Sequence, residues 1–143
     1  MKLFRILSHP YTLILCFSFM IISGESNGGF YILYILLGLL HGVLHSLLGF
    51  FGMLVLVIGY HLPVQCKNIV KQLFNVLGVS MMFLSLFLFF RKDIAHYNWV
   101  TFEQGLPMFT LVFTALIAIC FLVGTFWHPR PKNGLEQGVL SNV

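Results

Sequence analysis

Between Gly29 and His61 the chain runs for 33 residues without an Asp, Glu, Lys or Arg. As a single helix rising about 1.5 Å per residue it would reach about 50 Å, against a hydrocarbon core of about 30 Å. Tilt absorbs only part of that excess. The stretch therefore crosses a bilayer once, with a piece bent back or lying at the interface, or it crosses twice.

The rest of the chain points to the same solvent. Three further apolar segments lie at about residues 6–23, 69–90 and 106–127. Hydrophobic residues make up 59% of the chain, charged residues 8%, and the mean hydropathy is +0.95. Soluble domains are about a quarter charged, so most of this surface cannot face water. A disordered chain, a secreted disulfide scaffold and an ordinary cytosolic enzyme are all excluded. The reading is an all-α integral membrane protein, a small bundle of four transmembrane helices within residues 1–127. In the alternative there are five, with residues 29–61 forming two short spans.

Charge placement decides between the two counts. The eight cations form four pairs at or just beyond the ends of the apolar segments: Lys2/Arg5, Lys67/Lys71, Arg91/Lys92 and Arg130/Lys132. With a cytoplasmic amino terminus and one crossing over 29–61, three pairs fall inside and Arg91/Lys92 outside. With two crossings the pairs divide evenly. Lys and Arg concentrate on the cytoplasmic side of membrane proteins, which favours four spans with both termini cytoplasmic. The expected setting is a bacterial cytoplasmic membrane. The pairs suit phospholipid headgroups. Split by membrane-length segments, they form no basic face for nucleic acid.

Lys2, Arg5 and the apolar run Tyr11–Ser23 also resemble the start of a signal peptide, but Ile22 occupies the position where a cleavage site wants a small residue. An uncleaved first span is the reading, with Pro10 in its opening turns. Residues 24–29 carry strong turn chemistry. Residues 94–106 mix His96, Tyr97, Trp99 and Phe102 with polar groups, as a headgroup-level segment does, and Trp99 and Trp127 are expected at opposite faces. Pro107 fits the first turn of the last span. Residues 128–143, with Pro129, Pro131, Gly134 and Gly138, read as a mobile cytoplasmic tail.

Gly38, Gly42, His45, Gly49, Gly52 and Gly59 follow one another at steps of 4, 3, 4, 3 and 7, a single helical stripe. Helices in lipid associate by close van der Waals contact, and small residues let backbones approach. Gly38, Gly42, Gly49, Gly52 and Gly59 are thus the expected helix-packing face, within one bundle or between subunits. A hairpin turn over residues 41–46 gives no reason for that register to continue through it.

His41 and His45 lie one helical turn apart in this run, with Ser46 beside them. A single straight crossing puts His45 near the bilayer midplane, where an ionisable group is expensive and marks a functional site by default. Neutral imidazole can ligate haem iron or another metal, or pass protons. The intervening Gly42, Val43 and Leu44 include no general base, and no span carries a carboxylate, so the pair is a poor fit to zinc hydrolysis. The plainer role is a neutral pair bonded to a backbone carbonyl or to Ser46. His9, His61, His96 and His128 fall near span ends, and nothing in their spacing gathers them. Cys16, Cys66 and Cys120 make no framework. Met81, Met82, Phe83, Phe87 and Phe90 read as packing or lipid-facing surface. Ser18, Ser80 and Ser85 lack a nucleophile motif, and no phosphate-cradling loop occurs.

The functional expectation is a structural or accessory membrane subunit acting through helix–helix contacts, in a homo-oligomer or with a larger membrane partner, and without a cofactor. The alternative is a haem-binding redox component or a proton or ion transporter using His41 and His45.

Overall fold

The structure, a computed structural model, describes residues 2–24, 28–63, 66–92 and 97–127. The described residues are mostly helical (82%). Helices α1 (Lys2–Leu7) and α2 (Pro10–Ser18) lead into an antiparallel strand pair, β1 (Ile21–Ser23) with β2 (Gly28–Phe30). Then come α3 (Tyr31–Leu40), α4 (Leu44–His61), α5 (Asn68–Lys92), a 3-10 helix (Tyr97–Phe102) and α6 (Gly105–Trp127). Three of these, α4, α5 and α6, are long and apolar enough to cross a membrane. Asp93, His96 and residues 128–143, with the expected tail, lie outside the described residues.

The first apolar segment departs from a single continuous span. Pro10 opens α2, and His9 before it is held extended (φ −88°, ψ 135°), as a residue preceding proline tends to be. That divides the segment into α1 and α2. The helix also stops at Ser18, because the last residues of the expected span become β1 and pair with β2 (Ile21 with Phe30, Ser23 with Gly28). The outer edge of β1 is satisfied by side chains. Thr101 Oγ1 accepts from Ser23 N (2.9 Å) and donates to Ser23 O (3.0 Å), and Thr110 Oγ1 accepts from Ile21 N (3.1 Å). Strand backbone buried beside helices needs such partners.

The 33-residue run does not form one helix. It breaks at His41-Gly42-Val43, where Gly42 takes φ +64°. Val43 N donates to Gly38 O (2.9 Å) and Gly42 N to Leu39 O (3.1 Å), the paired bonds of a Schellman helix end with glycine in the left-handed position. The chain then folds back. Ile35 of α3 lies against Gly49 of α4, and Gly38 against Ser46. A Cβ on Gly42 would meet nothing within 4 Å. Gly42 therefore belongs to the turn and not to the packing face, correcting the expectation for that one glycine.

Antiparallel α4 and α5 form the closest helix pair. A Cβ on Gly52 would stand 3.0 Å from both Gly78 O and Met82 N, and one on Gly78 would stand 3.0 Å from Gly52 O. Gly59 meets Phe74 and Asn75, and Gly49 meets Ser85. On the other side, α6 packs along the amino-terminal segment: Thr114 Oγ1 lies 3.2 Å from Cys16 O, and Gly124 abuts Ser8. Leu13, Phe17, Leu56, Met82, Ile117 and Phe121 fill the space between.

These contacts sort the molecule into two ends. One holds the strand pair, the 3-10 helix, the α3–α4 turn and the α5 carboxyl end, joined by Ser23–Thr101, Phe90–Phe102 and His45–Phe89. The other holds His9, Tyr60, Asn75, Thr125 and Gly124, joined by His9–Tyr60 and Asn75–Thr125. Trp99, in the 3-10 helix ahead of α6, and Trp127, the last residue of α6, are both exposed.

Candidate functional site

His41 and His45 are not brought together. The helix break assigns them to different elements: His41 closes α3, and His45 lies in the first turn of α4. His41 is exposed, and its Nδ1–H donates to Leu37 O (2.8 Å). The shared helical face on which a two-histidine ligand set depends does not exist. His45 is also not central to a span, since α4 begins one residue before it. Both findings correct the sequence reading, and both follow from the Gly42 turn.

His45 nevertheless occupies a polar pocket. Its ring packs edge-on against Phe89 (centroids 5.3 Å, interplanar 75°), and Phe89 also meets Tyr34 and Tyr31. The His45 backbone carbonyl accepts from Ser85 Oγ (2.6 Å), and Ser85 Oγ lies 2.9 Å from Tyr31 OH. Since Ser85 donates to the carbonyl, Tyr31 must donate to Ser85, a relay in which each hydroxyl is satisfied. Tyr31 is fully buried, with Phe17 edge-on to its ring at 5.2 Å. Ser46 Oγ donates to Tyr34 O (3.4 Å), bridging α4 to α3.

One atom breaks the pattern. His45 Nδ1 is buried and has no hydrogen-bond partner among the described residues. A buried polar atom without a partner is costly, about 1–3 kcal/mol, and unusual enough to ask for a cause. Gly38 leaves room for the neighbouring Ser46, whose Oγ a Cβ there would overlap, while His45 Nε2 would stand at an ordinary contact distance of 3.6 Å. Among the described residues, no group of three or more His, Cys, Asp or Glu is placed to hold a metal ion.

The site thus consists of His45, Ser46, Tyr31, Tyr34, Ser85 and Phe89, of which sequence reasoning singled out His45 and Ser46. Tyr31 and Ser85 are separated by 54 positions and look like ordinary members of apolar helices. Their only signal was hydroxyls set in lipid-length runs, which must find partners somewhere.

Comparison with known proteins finds no match, whether to a family model, a curated protein or a solved structure.

Proposed function

We propose that the chain is a small multi-pass membrane protein that acts as a structural or accessory subunit, crossing the membrane four times with both termini cytoplasmic. The observation that carries the accessory role is the use made of the polar groups. The buried Ser46, Ser85, Thr101 and Thr114 all bond to backbone carbonyls of neighbouring turns or elements. They tie neighbouring turns and elements together, and each of these four hydroxyls is taken up by a backbone carbonyl. Gly49, Gly52 and Gly59 are likewise occupied within the chain, facing α5. Contact with a partner therefore falls to other surfaces, such as the exposed Phe109, Phe113 and Leu116 of α6.

The topology is supported by parity. Helix α3 has 10 residues, about 15 Å, or half a hydrocarbon core. A helix of that length, running from the strand pair to the turn at Gly42, falls short of a crossing, which supports one net crossing over residues 29–61, through α4. Lys67 and Lys71 then share a side with α1, and Arg91 and Lys92 lie opposite, as charge bias prefers. The test is labelling of Cys66 with a membrane-impermeant maleimide after replacing Cys16 and Cys120 with alanine. Reaction only from the cytoplasmic side is expected. Reaction only from the outer side, with the amino terminus protected, refutes the topology. Cross-linking in native membranes tests the subunit role: a discrete assembly larger than one chain is expected, and a single chain under all conditions refutes it.

A second reading rests on His45 Nδ1. A buried imidazole nitrogen without a partner suits a group that takes up a proton or ligand during function. The apolar layer of Leu13, Phe17, Leu56 and Met82, all fully buried, separates His45 from the polar residues of the opposite end, which disfavours a continuous proton path. A haem role is checked directly: a Soret band lost in His45→Ala supports it, and a colourless protein purified from haem-replete cells removes it.

A further inference from the structure

A second cluster of titratable side chains lies at the end opposite His45. His9, just ahead of α2, and Tyr11, in its first turn, meet Tyr60 and His61, the last two residues of α4. His9 Nε2 and Tyr60 OH are 3.3 Å apart, and Tyr11 OH and His61 Nε2 are 2.8 Å apart. The rings pack on one another: His9 stacks on Tyr11 (5.4 Å), Tyr60 lies 5.0 Å from His9 and 5.6 Å from Tyr11, and His61 stands edge-on to Tyr60 (5.2 Å). Pro10 sets this up, because the extended His9 that it imposes turns away from the line of α1 and faces α4. Elsewhere, the hydrogen bond between α2 and α4 among the described residues is Ser18 Oγ to Met53 Sδ, at 3.7 Å. The rings are the principal polar tie between the two helices.

We propose that His9, Tyr11, Tyr60 and His61 form a proton-sensitive latch between α2 and α4, closed while both imidazoles are neutral and released in acid. A neutral imidazole offers one donor and one acceptor, so each histidine and tyrosine can share a bond in either direction. A protonated imidazole only donates, and two protonated rings place two like charges in one small cluster. Among the described residues, the neighbouring elements do not compensate them. Helix α1 carries Lys2 and Arg5, the turn before α5 carries Cys66 and Lys67, and the first turn of α5 carries Lys71. The titratable groups of α2 and α6 beyond the cluster are Cys16 and Cys120, and Glu103, the acidic residue among the described ones, lies at the opposite end. Histidine is the side chain whose charge ordinarily changes between about pH 5 and 8. Tyr11 is 39% exposed, so solvent screens the repulsion and opening is local, confined to α1, α2 and the α4 end.

The test is a distance measurement on the full chain in nanodiscs of zwitterionic lipid. Native cysteines are replaced by alanine, and nitroxides are attached at Leu15→Cys on α2 and Ile58→Cys on α4, both exposed positions. One narrow distance is expected at about pH 8, lost at about pH 5.5 to a longer and broader distribution. In His9→Gln with His61→Gln, which retains His41 and His45, the narrow distance is expected at both values. Tyr11→Phe with Tyr60→Phe keeps the imidazoles but removes the bonds, and is expected to be broad already at the higher pH. An identical narrow distance at both values in the parent chain overturns the proposal without any cluster variant. A pH response that persists unchanged in the double glutamine variant overturns it as well.

Discussion

Gly52→Ala places a methyl group where α4 and α5 touch through their backbones. Its Cβ would stand 2.9 Å from Met82 Cγ and 3.0 Å from both Gly78 O and Met82 N. The methionine side chain can turn aside, but two of the three atoms are backbone and cannot, so the helices must part by a few tenths of an ångström or more. Overpacking a close-packed contact costs about 1–3 kcal/mol, and separation forfeits dispersion of about 0.1–0.2 kcal/mol per atom pair along the interface. Alanine recovers up to about 1 kcal/mol of helix propensity relative to glycine. The net expectation is a loss of about 1–2 kcal/mol, a factor of about 5–30 in the folding equilibrium. Equilibrium unfolding of reconstituted protein, followed by circular dichroism, measures it. Gly105→Ala is the matched control, since a Cβ on Gly105 would meet nothing within 4 Å and the residue sits at the start of α6; it should be neutral or slightly stabilising. Gly78→Ala should resemble Gly52→Ala, and because the two glycines touch, the double variant should not show the sum of the single losses. A Gly52→Ala protein as stable as the Gly105→Ala control would refute a backbone-level α4–α5 contact.

Other substitutions probe the break and the polar pocket. Gly42→Val puts a β-branched residue at φ +64° and should destabilise by at least about 1 kcal/mol, whereas Gly42→Asn should be milder because asparagine tolerates that conformation; thermal unfolding in detergent compares them. Tyr31→Phe removes the donor to Ser85 while keeping the buried ring, with an expected loss of about 0.5–1.5 kcal/mol, against about 3–5 kcal/mol for Tyr31→Ala, which also leaves a cavity. His45→Phe replaces a ring whose Nδ1 is unpartnered and should leave stability unchanged or raise it by up to about 1–3 kcal/mol, read from the same unfolding curves; a large loss would mean that the imidazole has a partner in the membrane.

The sequence carried the extents of α5 and α6 closely, because each is a long, mostly apolar run ended by charge or by turn residues. The amino-terminal segment was harder. Pro10 is compatible with the first turn of a longer helix, and only the packing of His9 on Tyr60 shows why the chain breaks there. The strand pair was hidden for a similar reason: Ile21–Ser23 is apolar enough for a helix, and Thr101 and Thr110, about 80 to 90 positions away, supply the bonds that let it extend. Gly42 misled most. Its spacing from Gly38 matches a helix-packing motif, but in an apolar run a glycine can equally close a helix, and the two uses share one residue type.

Apolar length and the positions of Lys and Arg fixed this protein's solvent, its helical class and the extents of its later helices, because water and lipid each accept only certain groups and the bilayer sets a minimum length. The glycine stripe marked where another helix would approach. Which helix approaches, and whether His45 sits at mid-membrane or near an end, was decided by the turn at Gly42 and the fit of α4 on α5. Lateral pairing in lipid depends on the matching of two surfaces at van der Waals distance, and residues as far apart in the chain as Gly52 and Gly78, or Tyr31 and Ser85, carry no local sign of each other.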